Sequence, residues 1–354
     1  MPIFQSRSGK LKWTKSLVKP HDLKAAYTYQ NLFKTPILFL IFNRPETTKL
    51  VFEQIKKVQP KFLYVAADGP RNDREGDAGK CIAARAMVMD FIDWPCEVKT
   101  LFRTENAGCK KAVSEAINWF FEDIEMGIIL EDDCLPSPSF FAFCAEALGK
   151  YRDDDNVLAI NGCNFNYKPK DSNSYFFSRY INAWGWATWK RSAVSTDYEM
   201  ISWQKKSKLF FIWKHIKNNL FDFDLDWCRY WRINFDAVAS KALDTWDYQW
   251  QYQLWNSDKI MIVSSHNLVV NIGFGADATH TSLQDHKAAA LTAESVQLPL
   301  KHPMSKAINK EYEEAAIKPV WHLYHRKSNL FYLLNYINTR SFIKTLRPGY
   351  KKLW

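Results

Sequence analysis

The chain has 354 residues, which is enough for one large domain or two smaller ones with a sizeable core. Its formal net charge of +10 lies at the two ends, because residues 1–34 carry +6 and residues 315–354 carry +8, leaving about −4 for residues 35–314. An acidic middle argues against a nucleic-acid-binding protein, whose folded domain needs a basic stripe, and favours a body whose basic ends contact an anionic surface.

The seven cysteines are odd in number and form no CxxC pair. We expect reduced, mostly buried thiols rather than a disulfide framework or a zinc site. Residues 1–34 lack the continuous apolar segment of a signal peptide, and no run approaches 18 apolar residues. These features favour a cytoplasmic protein.

Buried-strand and helix patterns alternate between residues 35 and 133. Apolar runs predict strands within 35–46, 61–71, 96–108 and 127–133, and helical spacing predicts helices over 47–58, 80–92 and 110–123. This rhythm predicts an α/β fold with a mostly parallel sheet flanked by helices. After residue 150 the pattern changes to short strands within 156–166 and 175–192, helices within 200–240 and a strand region at 259–275.

Polar residues follow each of the four early strands, at 43–44, 68–69, 103–108 and 131–133. Ligands of open α/β sheets bind at the carboxyl ends of the strands, so these residues are the candidates for a nucleotide and metal site. The run Glu131, Asp132 and Asp133 is the most informative. Acidic side chains at a strand end can bind a hard divalent cation, although an isolated Asp-Asp pair more often caps a helix.

Five segments resemble the GT-A-fold glycosyltransferases, in this family's order. GIILEDDCLPSPSFF (127–141) resembles the metal-binding DxD region in its Glu-Asp-Asp variant, as in the N-acetylglucosaminyltransferase I type and in bacterial nucleotide-diphospho-sugar transferases. The other segments are FLIFNRPE (39–46), VAADGPR (65–71), NAWGWATWK (182–190) and TWDYQW (245–250). The resemblance covers about residues 35–285 and implies a GT-A, Rossmann-like catalytic domain.

The resemblance also implies roles for individual residues. Arg44 and Asp68 would bind the nucleotide of the donor, which is expected to be a UDP-sugar. Arg103, Asn106 and Lys110 are further candidates for nucleotide-sugar binding because of their position after the third strand and at the start of the next helix. Glu131, Gly185 and Trp186 would contact the sugar, and Asp132 would lie near the ribose or the metal. Asp133 would bind the metal, Mn²⁺ before Mg²⁺, with His280 completing its site, and Asp247 would be the general base.

Several of these assignments have an alternative. Asp244 lies three residues before Asp247 and competes with it as the base, and Lys110 and Lys111 could belong to a solvated first helical turn. Trp186 could instead be part of an aromatic core beneath the site, and His280 a surface residue of a loop.

The expected organisation is a basic N-terminal extension (1–34), a catalytic domain (35–285) and a basic, aromatic, helical C-terminal extension (286–354). The donor half would span about 35–150 and the acceptor half 151–285. The expected activity is metal-dependent, inverting transfer of a sugar, with GlcNAc as the leading candidate, to a glycan or lipid-linked glycan in bacterial surface polysaccharide or lipopolysaccharide synthesis.

Residues 328–354 could attach the protein to the inner face of an anionic membrane, or could pack on the body. Two rival functions are a sugar-1-phosphate nucleotidyltransferase and a non-enzymatic, membrane-associated binding protein. The first needs a glycine-rich loop after the first strand, and FNRPETTK (42–49) contains no glycine.

Overall fold

The computed structural model describes residues 32–216, 224–274 and 291–319, together with the short strand at residues 16–17. The strands, numbered in chain order, are β1 Ser16–Leu17, β2 Ile37–Ile41, β3 Phe62–Ala67, β4 Glu97–Phe102, β5 Met126–Glu131, β6 Cys134–Pro136, β7 Val157–Asn161, β8 Tyr175–Ser178, β9 Trp186–Trp189, β10 Ile260–Ser264 and β11 Val269–Asn271.

The helices lie between and after these strands. They are α1 Pro45–Val58, α2 Asp77–Asp90, α3 Cys109–Asp123, α4 Pro138–Lys150, α5 Lys190–Ala193, α6 Ile201–Gln204, α7 Lys208–Ile216, α8 Leu225–Ala239, α9 Asp247–Asn256 and α10 Lys310–Tyr312, which continues into a π-helical turn at Glu313–Ile317.

Nine of the described strands form one mixed sheet in the order β1-β4-β3-β2-β5-β9-β7-β10-β8. Strands β2, β3, β4, β5, β7 and β10 run in one direction, and β1, β8 and β9 run in the other. The predicted fold class, a mixed and mostly parallel sheet flanked by helices, is confirmed. The predicted helical C-terminal extension lies outside the described residues, apart from residues 291–319.

Helices cover both faces of the sheet, which explains why its central strands β2 and β3 are apolar throughout. Within β2, Ile37, Phe39 and Ile41 pack on the side of α1 and α4, whereas Leu38 and Leu40 pack on the side of α3, α8 and α9. Successive side chains of a strand point to opposite faces, so a strand covered on both sides needs apolar residues at every position.

The register of the parallel strands brings the predicted site residues to one edge. Leu40 of β2 pairs with Glu131 of β5 and with Ala66 of β3, so β2, β3 and β5 end at about the same level. Strand β9 runs in the opposite direction, and its first residue, Trp186, therefore lies at this same edge beside Ile129.

A second, two-stranded sheet, which the sequence patterns did not predict, returns the chain to this edge. Strands β6 and β11 pair antiparallel, with Cys134 opposite Asn271, and the backbone N–H of Ile272 donates to the carbonyl of Asp133 at 2.8 Å. This pairing places Gly273 against the side chain of Asp133. No helix within the described residues has the length and apolar character needed to cross a membrane.

Candidate active site

The positive partner of the carboxylate cluster is Arg44, which follows β2. Its Nη2 lies 2.6 Å from Oδ1 of Asp132, and its Nη1 lies 2.8 Å from Oδ2 of Asp133. The second oxygen of Asp132 accepts a hydrogen bond from the backbone N–H of Phe42 at 2.9 Å. One planar guanidinium thus holds two adjacent carboxylates in fixed orientations, an arrangement that arginine provides and lysine does not.

Burial dominates the electrostatics of this cluster. Burial disfavours the charge of Arg44, but the carboxylates of Asp132 and Asp133 outweigh it and raise the pKa of the guanidinium. Burial raises the pKa of Asp132 to about 6, although Arg44 opposes the change. Burial and then the charge of Asp133 raise the pKa of Glu131 well above its usual value. Within the described residues, Glu131 has no hydrogen-bond partner for its side chain.

Gly273 leaves the space that this ion pair needs. A Cβ at this position would lie 2.4 Å from Oδ2 of Asp133 and 2.8 Å from Nη1 of Arg44. Any larger residue would therefore collide with the ion pair. The Nε of Arg44 is buried and has no hydrogen-bond partner in the described part of the chain.

Asp68, after β3, binds the turn that precedes α3. Its carboxylate accepts from the backbone N–H groups of Ala107, at 2.9 Å, and Gly108, at 3.2 Å, and from Nδ2 of Asn106 at 2.9 Å. Burial raises the pKa of Asp68, although these donors oppose the shift. The two predicted nucleotide-binding residues Asp68 and Asn106 therefore lie together, and Asp68 fixes the turn at residues 106–108.

The other predicted basic residues are engaged in ion pairs at this edge. Arg103 pairs with Glu115 and lies 4.0 Å from Asp68. Lys110 donates to Glu199 at 2.7 Å and is mostly covered, whereas Lys111 is largely exposed. Lys110 therefore does not belong to a solvated first turn, while Lys111 fits that interpretation.

The two candidate bases differ in their surroundings. Asp244 binds the backbone N–H groups of Cys109 and Lys110, at 2.9 and 3.1 Å. Asp247, the first residue of α9, accepts from the hydroxyl of Thr245 and from the N–H of Tyr248 through Oδ1 alone. Its Oδ2 has no hydrogen-bond partner among the described residues. Asp247 is thus the carboxylate with an oxygen available to a substrate.

Cys109 marks the space that these carboxylates share. Burial and the negative charges of Glu131, Asp244, Asp247 and Asp68 together raise the pKa of its thiol well above the usual value. Of the seven free cysteines it alone is partly exposed. These four carboxylates, which come from the ends of β3 and β5, the 240–246 loop and the start of α9, therefore all act on the thiol at the start of α3.

Trp186 does not offer a surface for stacking on a sugar. Its side chain is completely buried, its ring stacks on Trp246 with centroids 5.7 Å apart, and it meets Trp250 edge-on at 4.7 Å. This burial agrees with the alternative interpretation, an aromatic core beneath the site, because β9 lies in the middle of the sheet and α9 covers this residue. Gly185 has a φ of +65°, and a Cβ there would lie 2.6 Å from Val269, so backbone geometry and packing require glycine.

Three residues of this edge escaped the sequence analysis: Asp244 as a ligand of α3, Glu199 and Cys109. Only the first left a signal. The segment Asn-Ala-Gly-Cys-Lys (106–110) offers no serine, threonine or aspartate at the N-cap, and Gly108 forms no side-chain cap. A helix that begins without its own cap needs an acceptor from elsewhere in the chain.

The donor atoms suit a divalent cation that is shared with a ligand rather than held by the protein alone. Within the described residues, no three His, Cys, Asp or Glu side chains are arranged to hold a metal ion. Both oxygens of Asp132 are engaged, and Asp133 retains Oδ1, which is contacted only by the thiol of Cys134 at 3.5 Å. Mg²⁺-type sites at diphosphates use one or two carboxylates, waters and phosphate oxygens. Asp133 fits such a site, and His280 lies outside the described residues.

Asp77, at the start of α2, supports the residues next to the cluster and yields a pH-dependent prediction. It accepts from the side chain of Arg71 at 2.9 Å and from Nδ2 of Asn43 at 2.5 Å, and these hydrogen bonds, first that of Arg71, lower the pKa of its carboxyl group to about 2. An acid with a depressed pKa stabilises the folded state above its unfolded pKa, and this contribution is lost as the pH falls toward 2.

Asp77→Asn should therefore lower the free energy of unfolding at pH 7 and lower it less at pH 3, as measured by urea titration. Asp93→Asn is the control, because Asp93 is largely exposed in its pair with Lys56 and should matter little at either pH. An equal loss for Asp77→Asn at both pH values would contradict the linkage.

Comparisons with known proteins give little beyond this geometry. No family model matches the sequence, and no curated protein is significantly similar to it. Among solved structures, it is similar to HddC from Yersinia pseudotuberculosis, with a TM-score of 0.27 and 9% identity over 44% of this chain and 77% of the other. The 4-diphosphocytidyl-2C-methyl-D-erythritol synthase from Anaerococcus prevotii gives 0.29 and 9%, over 57% and 99%.

Mouse xyloside xylosyltransferase 1 is also similar, with a TM-score of 0.30 and 8% identity over 64% of this chain and 82% of the other. Similarities at this level support no argument about activity, which depends here on the residues of the site.

Proposed function

We propose that the chain is an inverting, nucleotide-sugar-dependent glycosyltransferase that uses a UDP-sugar, with GlcNAc the first sugar to test, and a glycan or lipid-linked glycan acceptor. The observation that carries the proposal is the state of Asp247 at the start of α9, where Oδ1 is held by Thr245 and Tyr248 and Oδ2 is available to a substrate. Inversion needs a carboxylate that faces the acceptor hydroxyl across the anomeric carbon from the leaving diphosphate.

In this proposal Asp247 removes the proton of the acceptor hydroxyl as its oxygen attacks the anomeric carbon, and the nucleoside diphosphate leaves. Glu131, whose raised pKa favours its protonated form, donates a hydrogen bond to the donor sugar. Asp68 and Asn106 hold the turn beside the nucleotide. A divalent cation, Mn²⁺ before Mg²⁺, would be held by Asp133 and would neutralise the departing diphosphate.

The same proposal places the protein at the inner face of a bacterial membrane, in surface polysaccharide or lipopolysaccharide synthesis. Its support is the basic, aromatic segment 328–354, which lies outside the described residues. An anionic surface attracts such a segment and would bring the enzyme to a lipid-linked acceptor.

Thermal unfolding with a panel of nucleotide-sugars tests the function. A UDP-sugar with Mn²⁺ should raise the melting temperature by several degrees, because a ligand that binds only the folded state stabilises it by mass action. EDTA should remove most of this increase. Asp133→Asn should remove the part that depends on Mn²⁺, whereas Asp155→Asn, at a largely exposed position, should not.

Slow release of UDP from the stabilising donor, without acceptor, should then identify the enzyme activity. Release of pyrophosphate from UTP and a sugar 1-phosphate would instead identify a nucleotidyltransferase and refute the proposal. If no nucleotide-sugar stabilises the protein, the proposal is refuted in favour of the non-enzymatic binding protein.

A further inference from the structure

Two carboxylates from distant parts of the chain bind four successive backbone N–H groups at the start of α3. Asp68 accepts from Ala107 and Gly108, and Asp244 accepts from Cys109 and Lys110. Asp68 belongs to the end of β3, and Asp244 belongs to the loop between α8 and α9, residues 240–246. The first turn of α3 therefore joins the end of the parallel sheet to the loop that precedes Asp247.

The fit at this junction is close. Gly108 has a φ of +85°, and a Cβ there would lie 2.7 Å from Oδ2 of Asp244. A glycine is thus required on the helix side for the carboxylate to reach the two N–H groups. The positive end of the helix dipole further favours an anion at this place.

A second contact joins the same two segments. Glu199 accepts from Nζ of Lys110 at 2.7 Å and lies 3.4 Å from Nζ of Lys241. It therefore bridges the first turn of α3 and the start of the 240–246 loop. At the other end of the loop, Thr245 donates from its hydroxyl to Oδ1 of Asp247. The loop is thus held at its beginning, at Asp244 and at its junction with the proposed base.

We propose that Asp244 is a positioning residue, which docks the 240–246 loop on the first turn of α3 and thereby holds Asp247, the residue that follows the loop, in its place. The inference rests on the proposed function, in which Asp247 is the general base. It gives Asp244 no contact with the reacting atoms. Both oxygens of its carboxylate accept from backbone N–H groups of α3. Asp244 therefore cannot take the place of Asp247 as the base.

Asp244→Ala, Asp244→Asn and a control, Asp226→Ala, test this role in the full-length protein. Asp226 is an exposed aspartate of α8 that pairs with Arg229, so its removal changes the charge equally without touching the loop. The measurements are kcat and KM for UDP release from the donor, nucleotide affinity by calorimetry, and the rate at which iodoacetamide alkylates Cys109, followed by mass spectrometry.

Asp244→Ala should lower kcat about tenfold or more with KM for the donor almost unchanged, because a small misplacement of a reacting group is costly while donor contacts remain. Asp244→Asn keeps one acceptor oxygen and should lie between the wild type and Asp244→Ala. Cys109 should be alkylated about tenfold faster in Asp244→Ala, because the loop opens and the nearby negative charge is gone. Asp226→Ala should resemble the wild type throughout.

An unchanged kcat in Asp244→Ala would overturn the proposal, and so would an equal fall in kcat and nucleotide affinity, since the second result would indicate general unfolding. If the wild type turns over no nucleotide-sugar, the proposed function fails rather than the docking. Alkylation of Cys109 then decides the docking on its own, and an unchanged rate in both Asp244 variants would refute it.

Discussion

Asp247→Asn should reduce sugar transfer by about 10²–10⁴-fold, the usual contribution of general-base catalysis. Asparagine has the same shape and keeps an oxygen that can accept from Thr245 and from the N–H of Tyr248. The start of α9 should therefore stay in place while the group that removes the acceptor proton is lost. The measurements are single-turnover transfer and calorimetric titration with UDP and Mn²⁺, in which nucleotide affinity should remain near that of the wild type.

The matched control is Asp258→Asn, which changes an exposed aspartate just beyond the other end of α9. It should transfer sugar at the normal rate. Near-normal turnover by Asp247→Asn would place the base elsewhere. A parallel loss of nucleotide affinity would show that Asp247 acts through the structure rather than on the proton.

Arg44→Met should lower the free energy of unfolding by about 3–5 kcal/mol at neutral pH, the cost of leaving a buried charge without its partner. Asp132 has an exposed fraction of only 2% and would lose the guanidinium that neutralises it, as would Asp133 beside it. Urea unfolding followed by circular dichroism measures the loss. Arg44→Met combined with Asp132→Asn should recover part of it, because one of the two orphaned charges is then removed.

The free energy of unfolding that Arg44→Met loses, its stability deficit, should depend on pH in a defined direction. The folded pKa of Asp132, about 6, lies above its ordinary value of 3.8, so the folded state binds more protons than the unfolded state between these values. Ionised Asp132 therefore destabilises the fold as the pH rises, and loss of Arg44 makes this worse. The deficit should be largest near pH 8 and should shrink as the pH falls through about 6.

Arg179→Met provides the comparison, because Arg179 is buried to a similar degree in its ion pair with Glu313 at the β8 edge of the sheet. It should also destabilise the protein but should leave nucleotide binding intact, whereas Arg44→Met should weaken it. A loss of less than about 1 kcal/mol for Arg44→Met would indicate that water replaces the guanidinium and that the cluster is not effectively buried.

The sequence predicted β2, β3 and β5 well, because both faces of these strands are buried and their apolar runs are therefore long. It did not predict β6 or the pairing of β6 with β11, since a strand of three residues shows no periodicity, although β11 falls within the predicted strand region at 259–275. The sequence also predicted that Asp68, Glu131, Asp132 and Asp133 lie at one edge of the sheet, because the carboxyl ends of parallel strands share that edge.

The contacts between these residues could not be predicted in the same way. Arg44 and Asp132 lie 88 positions apart, and Asp244 and Cys109 lie 135 apart, so their pairing depends on the packed fold. Arg44 was assigned to the nucleotide, and its pairing with Asp132 and Asp133 was not predicted. The burial of Trp186 could not be predicted for a related reason. The sequence pattern of an aromatic residue beside a glycine is the same whether the ring faces the site or packs beneath it.

The order of the strands has a consequence for the synthesis of the protein. Strand β5 pairs on one side with β2 and on the other with β9, whose residues follow about fifty positions later. A chain interrupted near residue 150 would therefore expose β5, with its sequence MGIILE, as an apolar edge able to pair with other chains. A nascent or proteolysed fragment of this length should therefore aggregate. Self-association through this edge is blocked only after β9 has been synthesised and has paired with β5.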